Sequence, residues 1–279
     1  MFQSLLFKRF CKRKASVVAA VILLIFFVIA LIGPFLCTID PTYQNLIHRF
    51  QPASAKHWMG TDYLGRDVFT RMVYGARISL FVSFSAVFLG SFIGILMGTC
   101  AGYFGKWADT LISRIIDVLL AFPGLLLAIM IIAILGNGLQ NTIFAIAIFS
   151  IPSMARMVRG IVITLKNLEY VQASQVMGES SIRIMFTHII PNSISQIIVN
   201  ATLNLGTAIL SASSLSFLGL GVQPPNPEWG AMLSQARDAI RTHPWGVFIP
   251  GIAITLVVMS FSLAGDGLRD ALDPKLKNR

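Results

Sequence analysis

Six apolar stretches dominate this sequence, at about residues 17–36, 78–101, 115–135, 139–157, 193–220 and 246–264. A bilayer core about 30 Å thick takes roughly 20 apolar residues of helix to cross. Within it only elements that satisfy their own backbone hydrogen bonds survive. The stretches therefore predict an all-α, polytopic membrane protein with about six transmembrane helices. Composition agrees: 55% of the residues are hydrophobic and 12% are charged, where a water-soluble domain carries roughly 25% charged.

The first stretch follows the basic run Lys8, Arg9, Lys12, Arg13 and Lys14. A cleaved signal peptide has a shorter apolar region and a small-residue cleavage site. This run is long and closes in Gly33-Pro34, and Leu36 stands before Cys37 where a lipoprotein site needs a small residue. An uncleaved anchor is expected.

Lysine and arginine set the orientation. With the N-terminus inside, the inner segments hold the five residues of the basic run; Lys106 and Arg114; Arg156, Arg159, Lys166 and Arg183; and Arg269, Lys275, Lys277 and Arg279. The outer segments hold only Arg49, Lys56, Arg66, Arg71, Arg77, Arg237 and Arg241. Six spans with both termini inside follow. The net charge of +10 is thus assigned to loops and anionic membrane lipid, and nucleic acid is excluded as a partner because no basic stripe interleaves with aromatics. Cys11, Cys37 and Cys100 are isolated and the four histidines are scattered, so no metal site is expected.

Two spans carry internal patterns. Gly90, Gly94, Gly98 and Gly102 recur every fourth residue, which puts them on one helical face and predicts helix packing at close range. Ser193, Gln196, Asn200, Asn204, Thr207, Ser211 and Ser214 step by three or four. One face of that helix is polar from end to end, and such a face needs a partner helix or water. Uncharged groups of this kind suit either a hydrogen-bonded seam or the wall of a water-filled path; Asn200, Asn204, Thr207, Ser211 and Ser214 are the candidate path-lining residues. Pro123, Pro152 and Pro250 are positioned to kink their spans, and Arg114 and Asp117 are spaced to pair on one face.

The inner loop 156–191 reads as two short helices. The first ends at Gly178, a favoured residue just past a C-cap. The second starts from Ser180 or Ser181 as N-cap, with Ile182, Met185, Phe186 and Ile189 at one-face spacing and Pro191 as a boundary. An amphipathic helix there either lies on lipid or docks on another protein.

This loop resembles the shared loop of permease subunits of type I ATP-binding-cassette importers. Gln172-Ala173-Ser174, Gly178 and Pro191 sit at that motif's spacing, with Gln172, Ser174 and His188 departing from its usual residues. Other segments are similar to the C-type permease of the dipeptide, oligopeptide and nickel group, including the glutathione importers. They are Gly60 to Phe69, Tyr74 to Leu80, Ser214 to Gly221, Gln223-Pro224-Pro225, Pro227-Glu228-Trp229-Gly230 and Gly265 to Pro274.

The resemblance implies a type I importer transmembrane domain in a prokaryotic cell membrane. It implies a homologous permease subunit, two ATPase subunits and an extracytoplasmic solute-binding protein as partners. ATP and magnesium would sit on the ATPases, with no cofactor and no catalytic residue here. Val171, Gln172, Ala173, Ser174, Met177 and Gly178 would couple the chain to the ATPases. The Glu228-Trp229 loop would lie outside, with Trp229 anchored at the interface or touching the delivery protein, and the segment with Asp62, Arg66 and Asp67 would form an external scaffold helix.

The implied organisation is residues 1–76 as N-terminal tail, first span and external segment, 77–266 as the permease core, and 267–279 as a cytoplasmic tail. The solute class expected is di- or oligopeptide, with glutathione or a nickel or metal chelate as alternatives. An ion-coupled secondary carrier would need acids deep in the spans and internal repeats, and neither is evident.

Overall fold

The computed structural model describes residues 10–272. Lys8, Arg9, Lys275, Lys277, Arg279 and the Asp273-Pro274 end of the tail lie outside the described residues. Five helices are long and apolar enough to cross a membrane: α1 (Lys14–Leu36), α2 (Val68–Phe104), α5 (Leu139–Leu165), the run Ser181–Phe217 that ends in α8 (Ile190–Phe217), and α10 (Trp245–Leu272). Between α2 and α5 stand α3 (Lys106–Leu120) and α4 (Gly124–Leu135), bent 90° at their junction. Two short helices, α6 (Glu169–Val176) and α9 (Trp229–Ala236), sit in the connections at opposite ends of the bundle. The end bearing α6 is termed lower and the end bearing α9 upper.

The third apolar stretch, expected as one span over 115–135 with a kink at Pro123, is instead two helices at a right angle. Pro123 lacks an N–H and becomes the N-cap of α4 at φ −55°, so the break falls at 121–123. At 12 residues, α4 rises only about 18 Å, short of a full crossing. Along α3, Trp107, Leu111, Ile115 and Val118 are exposed on one side. On the other, Asp109 pairs with Arg159 (2.5 Å) and Asp117 with Arg156 (2.9 Å). Asp117 therefore joins α3 to α5 and does not close the expected bond with Arg114. Helix α3 starts at the lower end of α2 and α4 leads to the start of α5, which runs parallel to α2, so the bent pair carries the chain from one end of the bundle to the other.

The bundle is seated on the glycine face of α2. A Cβ on Gly94 would lie 2.8 Å from Met154 Cβ, and one on Gly98 would lie 2.9 Å from Val158 Cβ. Gly90 and Gly102 likewise meet Ala147 and Val162, so α2 and α5 run parallel with backbones nearly touching. Lipid tails are as apolar as leucine, so hydrophobic transfer does little to hold such helices together. Close van der Waals packing over a smooth surface does more. Around this pair, α8 packs on α2, α5 and α10, and α1 packs on α2 and α10. Small residues again make the contact: Ser16 Oγ donates to Leu263 O (3.0 Å) beside Gly267, and Arg13 pairs with Asp270 at 2.8 Å.

Residues 37–67 form an irregular cap at the upper end with one 3-10 turn, Leu46–His48. The segment holding Asp62, Arg66 and Asp67 is a turn closed by a Thr61–Asp67 bridge, not the scaffold helix expected. Asp67 caps α2, accepting from Thr70 N at 2.7 Å, and α2 begins ten residues before the predicted span.

Candidate functional site

The lower-end connection starts where α5 ends. Lys166 Nζ donates to Gly102 O (3.1 Å) at the end of α2. Helix α6 then follows, with Glu169 in its first turn, where a carboxylate favours the helix dipole. It closes in a Schellman motif: Glu179 N donates to Ser174 O (3.1 Å) and Gly178 N to Gln175 O (3.0 Å). Gly178 has φ +80°, a left-handed conformation that a side chain would strain.

The tip of the turn projects from the molecule. Val176 and Met177 are 89% and 86% exposed, Gln172 and Ala173 are also exposed, and nothing lies within 4 Å of a Cβ on Gly178. Val171, grouped with them in the sequence reading, is fully buried. It packs with Ile184, Ile189, Ile197, Met154, Val158 and Val162 in a cluster separate from the main core. Val171 thus anchors α6 to α5 and α8 and offers no surface to a partner.

Beyond Gly178, Ser180 accepts from Arg183 N (3.4 Å) as N-cap of α7 (Ser181–Ile184). That helix passes through a π-turn, Met185–Ile189, straight into α8. Pro191 stands in the first turn of α8, so the boundary it marks is the change from π-turn to α-helix within a continuous run. Ile182 and Phe186 are exposed while Met185 and Ile189 are buried, so the expected single apolar stripe splits. A bond network missed in the sequence ties the two parts: His188 Nε2 lies 3.2 Å from Glu179 Oε2 and 3.3 Å from Ser174 Oγ, and Arg183 pairs with Glu179 at 2.9 Å. These bonds, with the cluster around Val171, tie α6 to the start of α8.

From Gln196 to Ser214 the polar face of α8 is half-buried or exposed, whereas Ser193 at its lower end is buried and donates to Ile189 O (2.8 Å). Its opposite face, with Ile197, Leu205, Ala208, Ile209, Ala212 and Leu215, is buried. Thr207 bonds to Asn204 O, Ser214 to Leu210 O, and Asn204 Nδ2 to Asn200 Oδ1 (2.9 Å), all within α8. Among the described residues no other helix accepts from or donates to Asn200, Asn204, Thr207, Ser211 or Ser214. At its lower end the face borders a cavity of about 530 Å³ closed on the far side by Arg269 and Leu272 of α10.

Glu228 and Trp229 are not at an interface or on a docking loop: both are buried, 1% and 0% exposed. Trp229 Nε1 donates to Met72 O (3.1 Å), and its ring meets Phe26 edge-on at 5.6 Å. Glu228 caps α9 and accepts from Ala231 N (2.9 Å), Ser79 Oγ (3.0 Å) and Ser213 Oγ (3.4 Å). Burial pushes its carboxyl above the ordinary value, and these donors only partly pull it back. In the upper cap, Asp62 pairs with buried Arg66 (2.7 Å), and Gln235 Oε1 accepts from both Arg66 and Arg71. The upper cap is thereby fixed to α2 and α9.

Residues 90–278 match the family of binding-protein-dependent transport system inner membrane components, and residues 3–53 match the N-terminal TM domain of oligopeptide transport permease C. The chain is 52% identical over 272 residues to the dipeptide transport system permease protein DppC of Alkalihalophilus pseudofirmus, covering 98% of this chain and 90% of the relative. It is 47% identical over 274 residues to the glutathione transport system permease protein GsiD of Escherichia coli, covering 97% and 89%. Among solved structures, the inward-facing MetNI methionine ABC transporter shares the fold at a TM-score of 0.58 and 21% identity, over 73% of this chain and 97% of that one. Fold, motifs and relatives converge: the chain belongs to the binding-protein-dependent transport system inner membrane components, as a C-type permease subunit of an ABC importer.

Proposed function

We propose that this subunit passes small peptides, the dipeptide class first, inward across a prokaryotic cell membrane with both termini in the cytoplasm. The observation that carries the solute class is the 52% identity, nearly end to end, to a dipeptide permease. Glutathione, the cargo named for relatives at 47% identity, is the second reading. In this proposal a homologous permease supplies the other half of the path and two ATPase chains bind ATP and magnesium. An outer solute-binding protein delivers cargo to the upper end.

The mechanism follows from three parts of the chain. Closure of the ATPase pair moves α6 through its exposed tip, Gln172, Ala173, Val176, Met177 and Gly178. Val171 and the His188–Glu179–Ser174 bonds carry that displacement into α8. Helix α8 presents amides and hydroxyls that replace water around a peptide without holding it tightly, and its shift opens one end of the path as the other closes. The glycine seat on α5 is the rigid frame against which α8 moves.

The experiment is reconstitution of the permease pair, ATPases and binding protein in liposomes. Radiolabelled dialanine should accumulate only with ATP, and glutathione should compete weakly. Uptake driven by an ion gradient with this chain alone would contradict the reading.

A further inference from the structure

We infer that the cavity between α8 and the lower end of α10 is a carboxylate-reading subsite for the departing solute, with Arg269 as its anion-binding group. This rests on the importer reading and extends it to the chemistry of the cargo. The cavity, about 530 Å³, is of the size that holds small molecules. Asn192, Gln196 and Asn200 line one wall at four-residue steps, and Met157 and Leu203 supply apolar surface beside them.

Asn192 Nδ2 already donates to His188 O (2.5 Å) and Tyr170 Oη (3.3 Å), so the donors open to a ligand are those of Gln196, Asn200 and Arg269. Asn200 Oδ1 is occupied by Asn204 Nδ2, which leaves the Asn200 amide hydrogens for a ligand. Gln196 forms no side-chain hydrogen bond among the described residues. Arg13, Arg66, Arg156, Arg159 and Arg183 each sit against a carboxylate, and Asp270 beside Arg269 is taken by Arg13. Among the described residues no carboxylate lies within 4.0 Å of Arg269, and its side chain is exposed.

A guanidinium is built to grip a carboxylate with two parallel N–H bonds. Side-chain amides match the peptide groups that precede it. In a hydrated vestibule such a pair is weak, which suits a step that must release its cargo. A free C-terminal carboxylate is therefore the feature that this site reads.

The test uses the assembled importer in detergent, with Cys11, Cys37 and Cys100 replaced by serine and Ser195→Cys, on the cavity wall, as reporter. Labelling of that cysteine by a charged methanethiosulfonate is timed with millimolar dialanine or dialanine amide. Dialanine should slow labelling and the amide should not. Arg269→Gln should weaken protection by about two- to fivefold, the scale of one solvent-exposed charge pair, and Arg269→Lys should restore part of it. Equal protection by both peptides, no protection by either, an unreactive cysteine, or an unchanged preference in Arg269→Gln would each overturn the inference. ATP-driven dialanine uptake by the unmutated importer, measured in parallel, reports on the importer reading separately.

Discussion

Glu228 accepts a hydrogen bond from the hydroxyl of Ser79, 3.0 Å away in space and 149 positions away in sequence. That contact ties the start of α9 to the outer third of α2. With Ser213 on the same carboxyl, three helices meet at one buried acid that has no cation on it among the described residues.

The pH dependence of stability follows. A carboxyl raised by burial binds more protons folded than unfolded. Stability must then fall as pH rises from the ordinary carboxylate value through the raised one. Glu228→Gln should flatten that slope in thermal melts of the purified importer at several pH values. Glu228→Ala, which also removes the cap of α9, should cost about 1 kcal/mol or more. Parallel slopes for the parent and Glu228→Gln would show that the acid does not titrate with folding.

The glycine seat makes a second prediction. Gly98→Leu puts a side chain where Val158 Cβ already sits 2.9 Å away, and should destabilise by about 1–3 kcal/mol. Gly160→Leu meets nothing within 4 Å and should leave thermal stability nearly unchanged. Equal losses would remove the packing role assigned to Gly90, Gly94 and Gly98.

Much of this was legible in the sequence because bilayer length and glycine spacing act locally. The spans emerged from apolar runs, and the end of α6 from Gly178, the residue a left-handed turn requires. A kink at Pro123 was legible, but its 90° extent was not, because apolar residues run on both sides of it, although alternating Trp107, Asp109, Leu111 and Ser113 already signalled an amphipathic α3. Trp229 was misplaced because a tryptophan after a proline-rich loop fits an interface equally well; its socket is made by Phe26, Met72 and Gly75, all over 150 residues earlier. The His188 network joins a π-turn to a Schellman turn, a geometry no linear spacing encodes.

The polar face of α8 gives a third prediction. Cysteines at Asn204 or Thr207, in a background lacking native cysteines, should react with water-soluble thiol reagents, and their rates should change when ATP is bound. Ala208→Cys, on the buried face, should react at least about tenfold more slowly, as expected where water is excluded. Protection of Asn204 and Thr207 in every state would mean that this face packs against the second permease.

Coupling through α6 is tested most directly by a Met177→Cys cross-link. Met177 is 86% exposed at the tip of the turn, whereas Val171 is buried beneath it. With a short bifunctional thiol reagent, Met177→Cys should join this chain to an ATPase subunit carrying cysteines along its helical cleft, and the linked importer should hydrolyse ATP without moving dialanine. If the cysteine links to no ATPase position, or reacts only with reagents confined to the cell exterior, α6 is not the element that drives the permease.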